Sequence, residues 1–180
     1  MLPKLTIVTG NELKFIQIAH ALREYFNCEK GIFETYEIQG TPEEILHDKL
    51  LRAYDYFKTP VLVDDTSLHL DSLNGFPGSY IRDFLQCMRP YEMGKKFAGT
   101  RMKVISRIGL MKSPEDFILG EGVVEGVVSD PKDRDPGLRE FELFFQPDGL
   151  DRPMIDFEPT EVLSFSHRGK ALQNLVEKLK

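Results

Sequence analysis

Lys4-Leu5-Thr6-Ile7-Val8-Thr9 (KLTIVT), followed at once by Gly10-Asn11-Glu12-Leu13-Lys14, is the stretch on which the fold turns. A short β-branched run that breaks at Gly-Asn reads as a buried strand. Beyond Asn11 the apolar positions fall at Phe15, Ile18, Ala19, Leu22, Tyr25 and Phe26, the stripe of an amphipathic helix. A strand that turns directly into a helix opens an α/β unit. It also sets unpaired backbone N–H groups and the positive end of a helix dipole just past the strand, an arrangement that suits a phosphate. On that reading Gly10 lets the backbone approach closely, Thr9 and Asn11 add hydrogen bonds, and Lys14 brings a charge one turn in. The same residues equally describe a tight turn with Asn11 as the helix cap.

Working outward, Ile32–Ile38 (IFETYEI) alternates like a strand. Thr41-Pro42-Glu43-Glu44 supplies an N-cap, a proline at the first helical position and a capping-box glutamate, predicting a helix to about Phe57. Pro60–Asp65 (PVLVDD) reads as a strand that ends on two carboxylates, and Asp71–Ser79 as a glycine- and proline-punctuated loop. Helical spacing returns over Tyr80–Met88 and Tyr91–Ala98. Strands are expected over Met102–Leu110 and Phe117–Val128, with Gly120 and Gly122 marking a turn or bulge. Ser129–Leu138 is a polar loop, Phe141–Phe145 an aromatic strand, and Arg168–Leu179 a closing helix. The pattern predicts one α/β domain over residues 1–180, built on a mixed sheet.

Composition narrows the function classes. Of 180 residues, 41% are hydrophobic and 29% charged, an ordinary globular balance rather than a disordered one. No apolar run approaches the ~20 residues of a membrane-spanning helix, and the first residues lack the apolar core of a signal peptide. Two cysteines, Cys28 and Cys87, are too few for a disulfide framework and suit a reducing cytoplasm. The net charge of −6 argues against binding a nucleic-acid backbone. A small polyanion stays compatible with it where local cations or a bound metal invert the field.

Three further groups could carry chemistry. Glu37, Asp64 and Asp65 stand at the expected ends of neighbouring strands, where carboxylates can converge on a hard cation such as Mg²⁺. Adjacent Asp64 and Asp65 must point to opposite sides of a strand, and solvated strand-end charges are the plain alternative. Ser166-His167-Arg168 can donate to a base's carbonyl edge or to phosphate, or simply cap the last helix. Leu73–Ile81 (LNGFPGSYI) fixes an unusual backbone near the carboxylates, or a rigid turn. A serine-hydrolase reading fails because no G-x-S-x-G elbow occurs. Zinc fails because neither cysteine sits at ligand spacing.

Taken in order, T-G-N-x-x-K, V-D-D-T-S-L, L-N-G-F-P-G-x-Y-I, F-Q-P-D-G and S-H-R-G-K-A resemble the inosine triphosphate pyrophosphatase family over Thr9 to Ala171. The resemblance implies an elongated α/β fold of two lobes around a central mixed sheet, assembled as a homodimer. It implies Mg²⁺-dependent hydrolysis (Mn²⁺ being the alternative ion) of ITP, dITP and XTP to the monophosphate and pyrophosphate, which clears deaminated purines from the nucleotide pool. Thr9, Gly10, Asn11, Lys14 and Lys49 would then hold the triphosphate. Glu37 and Asp65 would bind metal, with Asp64 as an accessory and Asp65 as the catalytic acid–base. Ser166 would join the substrate-binding set, and His167 and Arg168 would read the purine's 6-oxygen, which adenine lacks. Where the family carries F-G-W/Y-D-P, this chain has Arg139-Glu140-Phe141-Glu142-Leu143, so that Phe141 would stack on the base and Glu142 replace the aspartate. The lysine expected shortly before S-H-R is also absent. These departures leave two alternatives: a pyrophosphatase re-targeted to another modified nucleotide, or a non-catalytic nucleotide-binding module.

Overall fold

A computed structural model describes residues 1–33 and 36–180. Strand β1 (Lys4–Val8) lies inside the sheet with Leu5 and Ile7 fully buried, as its β-branched run requires. Helix α1 (Glu12–Leu22) follows immediately, capped by the Asn11 side chain. Strand β2 is Asn27–Gly31, and helix α2 is Pro42–Phe57. The capping box is complete: Glu44 N–H donates to Thr41 Oγ1 at 3.2 Å, and Thr41 N–H donates to Glu44 Oε2 at 2.8 Å. The helix ends at Lys58 in the left-handed region, φ 54°.

Next come β3 (Val61–Leu70), the short β4 (Pro77–Gly78), α3 (Ile81–Cys87) and α4 (Pro90–Phe97). Long strands β5 (Arg101–Ser113) and β6 (Asp116–Val128) are joined by Pro114-Glu115. Strand β7 (Phe145–Pro147), α5 (Pro159–Phe165) and α6 (His167–Glu177) complete the described elements. The sheet runs β2-β1-β3-β5-β6-β7, with β4 paired to β3. Strand β1 is parallel to both β2 and β3, whereas β4 and β7 are antiparallel to their neighbours, so the sheet is mixed as predicted. No described helix is long and apolar enough to cross a membrane.

The chain divides into two compact units. One comprises residues 1–65, 106–122 and 170–180, the other residues 66–105 and 123–169. In the first, the apolar face of α2 (Leu46, Leu50, Ala53) packs on Val61, Val63 and Met111. In the second, Leu68, Leu70, Met93, Met102, Val104, Phe144 and Phe145 form the core.

Four sequence expectations need correction. The strand expected over Ile32–Ile38 lies instead at Asn27–Gly31; Ile32, Phe33 and 36–38 are not strand, and 34–35 fall outside the described residues. Phe33 uses its ring against Tyr56 and Phe57 rather than across a sheet. Strand β3 does not stop at Asp65 but runs on to Leu70, because Leu68 and Leu70 give it a second buried stretch. Gly120 and Gly122 do not form a turn. They lie within β6, where a Cβ on Gly120 would sit 2.3 Å from the Ala171 carbonyl oxygen, so glycine lets α6 close on the strand. Finally, Phe141–Phe145 is not one strand: residues Glu140–Leu143 form a 3-10 turn and only Phe145 enters β7.

Candidate active site

The β1–α1 junction is built by short-range hydrogen bonds. Asn11 N–H donates to Thr9 Oγ1 at 3.1 Å, and Lys14 N–H donates to Asn11 Oδ1, also at 3.1 Å. Thr9 and Asn11 therefore shape the turn and cap the helix, as the plainer of the two sequence readings has it. At Gly10 there is nothing within 4 Å of where a Cβ would stand, so the backbone is open on that side. One turn in, the Lys14 ammonium reaches Asp64 Oδ2 at 3.1 Å.

Asp64 and Asp65 diverge across β3, as alternation demands. Asp64 is almost fully buried and meets Lys14 on one oxygen; Ser106 Oγ, from β5, donates to the other at 2.5 Å. Asp65 faces Lys49 on α2, whose Nζ lies 2.7 Å from Asp65 Oδ1 and 2.8 Å from Glu37 Oε1. One ammonium thus gathers two carboxylates from separate stretches of chain. Burial pushes the Asp65 carboxyl above the usual carboxylate range, with the nearby Glu37 and Asp64 adding to it and Lys49 only partly offsetting it. Burial alone would lower the Lys49 ammonium, yet Asp65 and Glu37 together hold it above its ordinary value.

In the second unit another group assembles. The Phe141 ring lies 5.6 Å from that of His167, centroid to centroid, at a 55° tilt. Glu142 is buried and takes an ion pair at 2.6 Å from Arg139 Nε. Burial pushes its carboxyl up, against the pull of Arg139 and, less strongly, of Arg168. Ser166 caps α6, accepting from Gly169 N–H at 3.2 Å, so its hydroxyl is engaged in building the helix start that carries His167 and Arg168. All three residues of Ser166-His167-Arg168 are buried, at 2%, 1% and 7% exposure, which is unlike an exposed polar helix start.

Within the first unit, then, the predicted residues resolve into the Lys14–Asp64 pair and the Lys49–Glu37–Asp65 triad, with Thr9, Gly10 and Asn11 forming the turn. Within the second, Phe141, Glu142, His167 and Arg168 are brought together and Ser166 supports them. Two participants were missed. Ser106 carried a faint signal, a small polar residue within the apolar run Val104–Leu110. Arg139 carried none, because its partners are Glu142 and the main-chain carbonyls of Met154, Ile155 and Phe157, up to eighteen positions away.

A sequence profile of the Ham1 family matches residues 5–178. An inosine triphosphate pyrophosphatase of Schizosaccharomyces pombe is 32% identical over 181 aligned positions, covering 97% of this chain and 94% of that protein. One from Pyricularia oryzae is 30% identical over 179, covering 96% and 93%. In three dimensions a HAM1 protein from Coxiella burnetii superposes with a TM-score of 0.83 at 22% identity, over 99% of this chain and 98% of that one.

Proposed function

Because the chain belongs to the Ham1 family, and its relatives there include inosine triphosphate pyrophosphatases, we propose that it hydrolyses purine nucleoside triphosphates to the monophosphate and pyrophosphate, taking ITP, dITP and XTP ahead of ATP and GTP. Its role is then to clear deaminated purines from the nucleotide pool, as a cytoplasmic homodimer. The observation that carries this reading is the convergence of Glu37 and Asp65 on the Lys49 ammonium.

That convergence fits Mg²⁺ or Mn²⁺. Magnesium takes one or two protein carboxylates and completes its octahedron with substrate phosphate and water. Among the described residues no group of three or more His, Cys, Asp or Glu side chains is placed to hold a metal ion by itself. Glu37 and Asp65 are the ligands in this reading. A bound ion would neutralise phosphate charge and template the in-line attack.

The chain's own groups supply the rest. Asp65 orients the attacking water toward the α-phosphorus and takes its proton, a role favoured by a carboxylate that burial makes more basic than usual. Lys49 and Lys14 balance the charge that builds on the leaving pyrophosphate, and the open backbone at Gly10 admits the phosphate chain beside the α1 N-terminus. Arg168 and His167 donate to the 6-oxygen of hypoxanthine or xanthine, while Phe141 stacks on the ring. Adenine's amino group leaves those donors unmatched. Glu142, ion-paired to Arg139 and within the field of Arg168, holds the arginine's charge at the base.

The test is a panel of ITP, XTP, dITP, ATP and GTP, assayed separately for pyrophosphate and orthophosphate with Mg²⁺ present. Pyrophosphate as the sole inorganic product, with ITP and XTP fastest, is the expected result. Orthophosphate would relocate cleavage to the β–γ bond, and equal rates for all five would remove the base-reading role of His167 and Arg168.

A further inference from the structure

We infer that Ser106 and Asp64 form a buried bracket that fixes the ammonium of Lys14, and that both act on the substrate's phosphate chain only through that lysine. The inference rests on the phosphate-binding role proposed for Lys14 and assigns Asp64 to the lysine rather than to the ion.

Asp64 has a side chain only 1% exposed, and a carboxylate so far from water is tolerated only when its oxygens are met. The two partners are of different kinds. Ser106, fully buried in β5, donates to Oδ1 at 2.5 Å, the length of a hydroxyl bonded to an ionised oxygen. Lys14 meets Oδ2 at 3.1 Å with its own side chain 25% exposed, so its ammonium touches the buried anion and still faces outward. The backbone of the same residue is tied to Asn11 Oδ1 at 3.1 Å. Lys14 is therefore held at its main chain by the helix cap and at its charged end by Asp64.

A lysine is a point charge on a flexible four-carbon stem, and a free one loses rotamer freedom each time it meets a ligand. Restraining that freedom beforehand is what support from behind a binding residue accomplishes. Serine is the residue the bracket needs: an apolar side chain at 106 would take away the hydroxyl that donates to Oδ1. Asp64 would then lose part of what holds it in line, and Lys14 would be released. Asp65, on the opposite side of β3, answers to Lys49 and Glu37 and is not part of this bracket.

A double-mutant cycle tests it. Calorimetric Kd values for inorganic tripolyphosphate without metal, and kcat and KM for ITP with Mg²⁺, are measured for the wild type, Ser106→Ala, Lys14→Met and the double variant, with thermal unfolding checked for each. Ser106→Ala should raise Kd and KM about tenfold, the scale of one hydrogen bond to a charged group, with kcat changed much less. In the Lys14→Met background the same substitution should change Kd less than twofold, and Ser106→Thr, which keeps the hydroxyl, should restore tight binding. Asp64→Asn, read through the same cycle, serves if Ser106→Ala does not fold. Equal losses from Ser106→Ala in both backgrounds would make its role merely structural and overturn the inference. No loss from Ser106→Ala, with Lys14→Met still weakening binding, would also overturn it while leaving the proposed function standing. No loss from Lys14→Met itself would overturn the phosphate role on which both depend.

Discussion

In the first unit the largely buried carboxylate of Asp65 is met by Lys49, whose ammonium also holds Glu37. In the second, the buried carboxylate of Glu142 is met by Arg139, whose guanidinium also donates to the carbonyls of Met154, Ile155 and Phe157 at 2.8–3.3 Å. Both acids are pushed above the ordinary carboxylate range by burial, with Lys49 pulling Asp65 back and Arg139, joined less strongly by Arg168, pulling Glu142 back. The difference lies in the cation. An ammonium on a flexible stem can exchange one anion for another as a phosphate arrives. A planar guanidinium with its fork spent on main-chain oxygens cannot. The same pairing of buried acid and base therefore serves exchange in one place and scaffolding in the other.

The sharpest way to break that contrast is to neutralise each acid or its partner. Asp65→Asn should cut turnover of ITP by about 10³-fold, within the range contributed by a positioned acid–base. Tripolyphosphate binding should stay within a few-fold of wild type. Surviving turnover would mean that Asp65 is not the base. Arg139→Ala should behave in the opposite manner, destabilising the fold by about 3–5 kcal/mol because it strands a buried carboxylate and three carbonyls at once. Denaturant unfolding measures this directly, and a loss below about 1 kcal/mol would show that Glu142 finds water or a second cation, as exposed pairs do.

How far these regions could be foreseen follows from the range of their contacts. The β1–α1 junction and the start of α2 were legible because their determinants lie within four residues: Thr9 with Asn11, Asn11 with Lys14, Thr41 with Glu44. The carboxylate–lysine grouping was legible as residue types and order, though Asp64 and Asp65 proved to lie mid-strand. Strand β2, Asn27–Gly31, has little β-propensity of its own. It is a strand because β1 lies beside it in parallel register, a tertiary effect overriding local preference. The aromatic run Phe141–Phe145 misled for the converse reason. Its side chains suit a strand, but Arg139 ties Glu142 into a turn by bonds to residues far along the chain. Ser106 stood in plain view inside an apolar strand, and only its partner 42 positions away gives it meaning.

A smaller effect should separate stacking from packing at Phe141. Its ring touches His167 and also lies against the second unit's core. Phe141→Ala should raise KM for ITP about tenfold while changing kcat less than threefold, the pattern of lost uniform binding. An unchanged KM together with a lowered melting temperature would assign the ring to the core alone.

The smallest effect is in pH dependence, and it sharpens the scaffold side of the comparison. Burial raises the Glu142 carboxyl, so the folded state holds that proton more tightly than the unfolded chain does. The stabilisation linked to this proton is complete below the ordinary glutamate value of about 4.3. It is lost as pH climbs through the raised one, since the native state is then the better proton binder. Glu142→Gln removes the titration. Melting temperatures of the two proteins measured side by side from pH 4 to 7 should therefore show the glutamine variant gaining on the wild type as pH rises. In an Arg139→Ala background the gain should be larger, because the attraction that opposes burial is gone and the carboxyl moves higher still. A gain that shrinks with rising pH would mean that the Arg139 guanidinium outweighs desolvation, and that the ionised form of Glu142 is the one the second unit is built to hold.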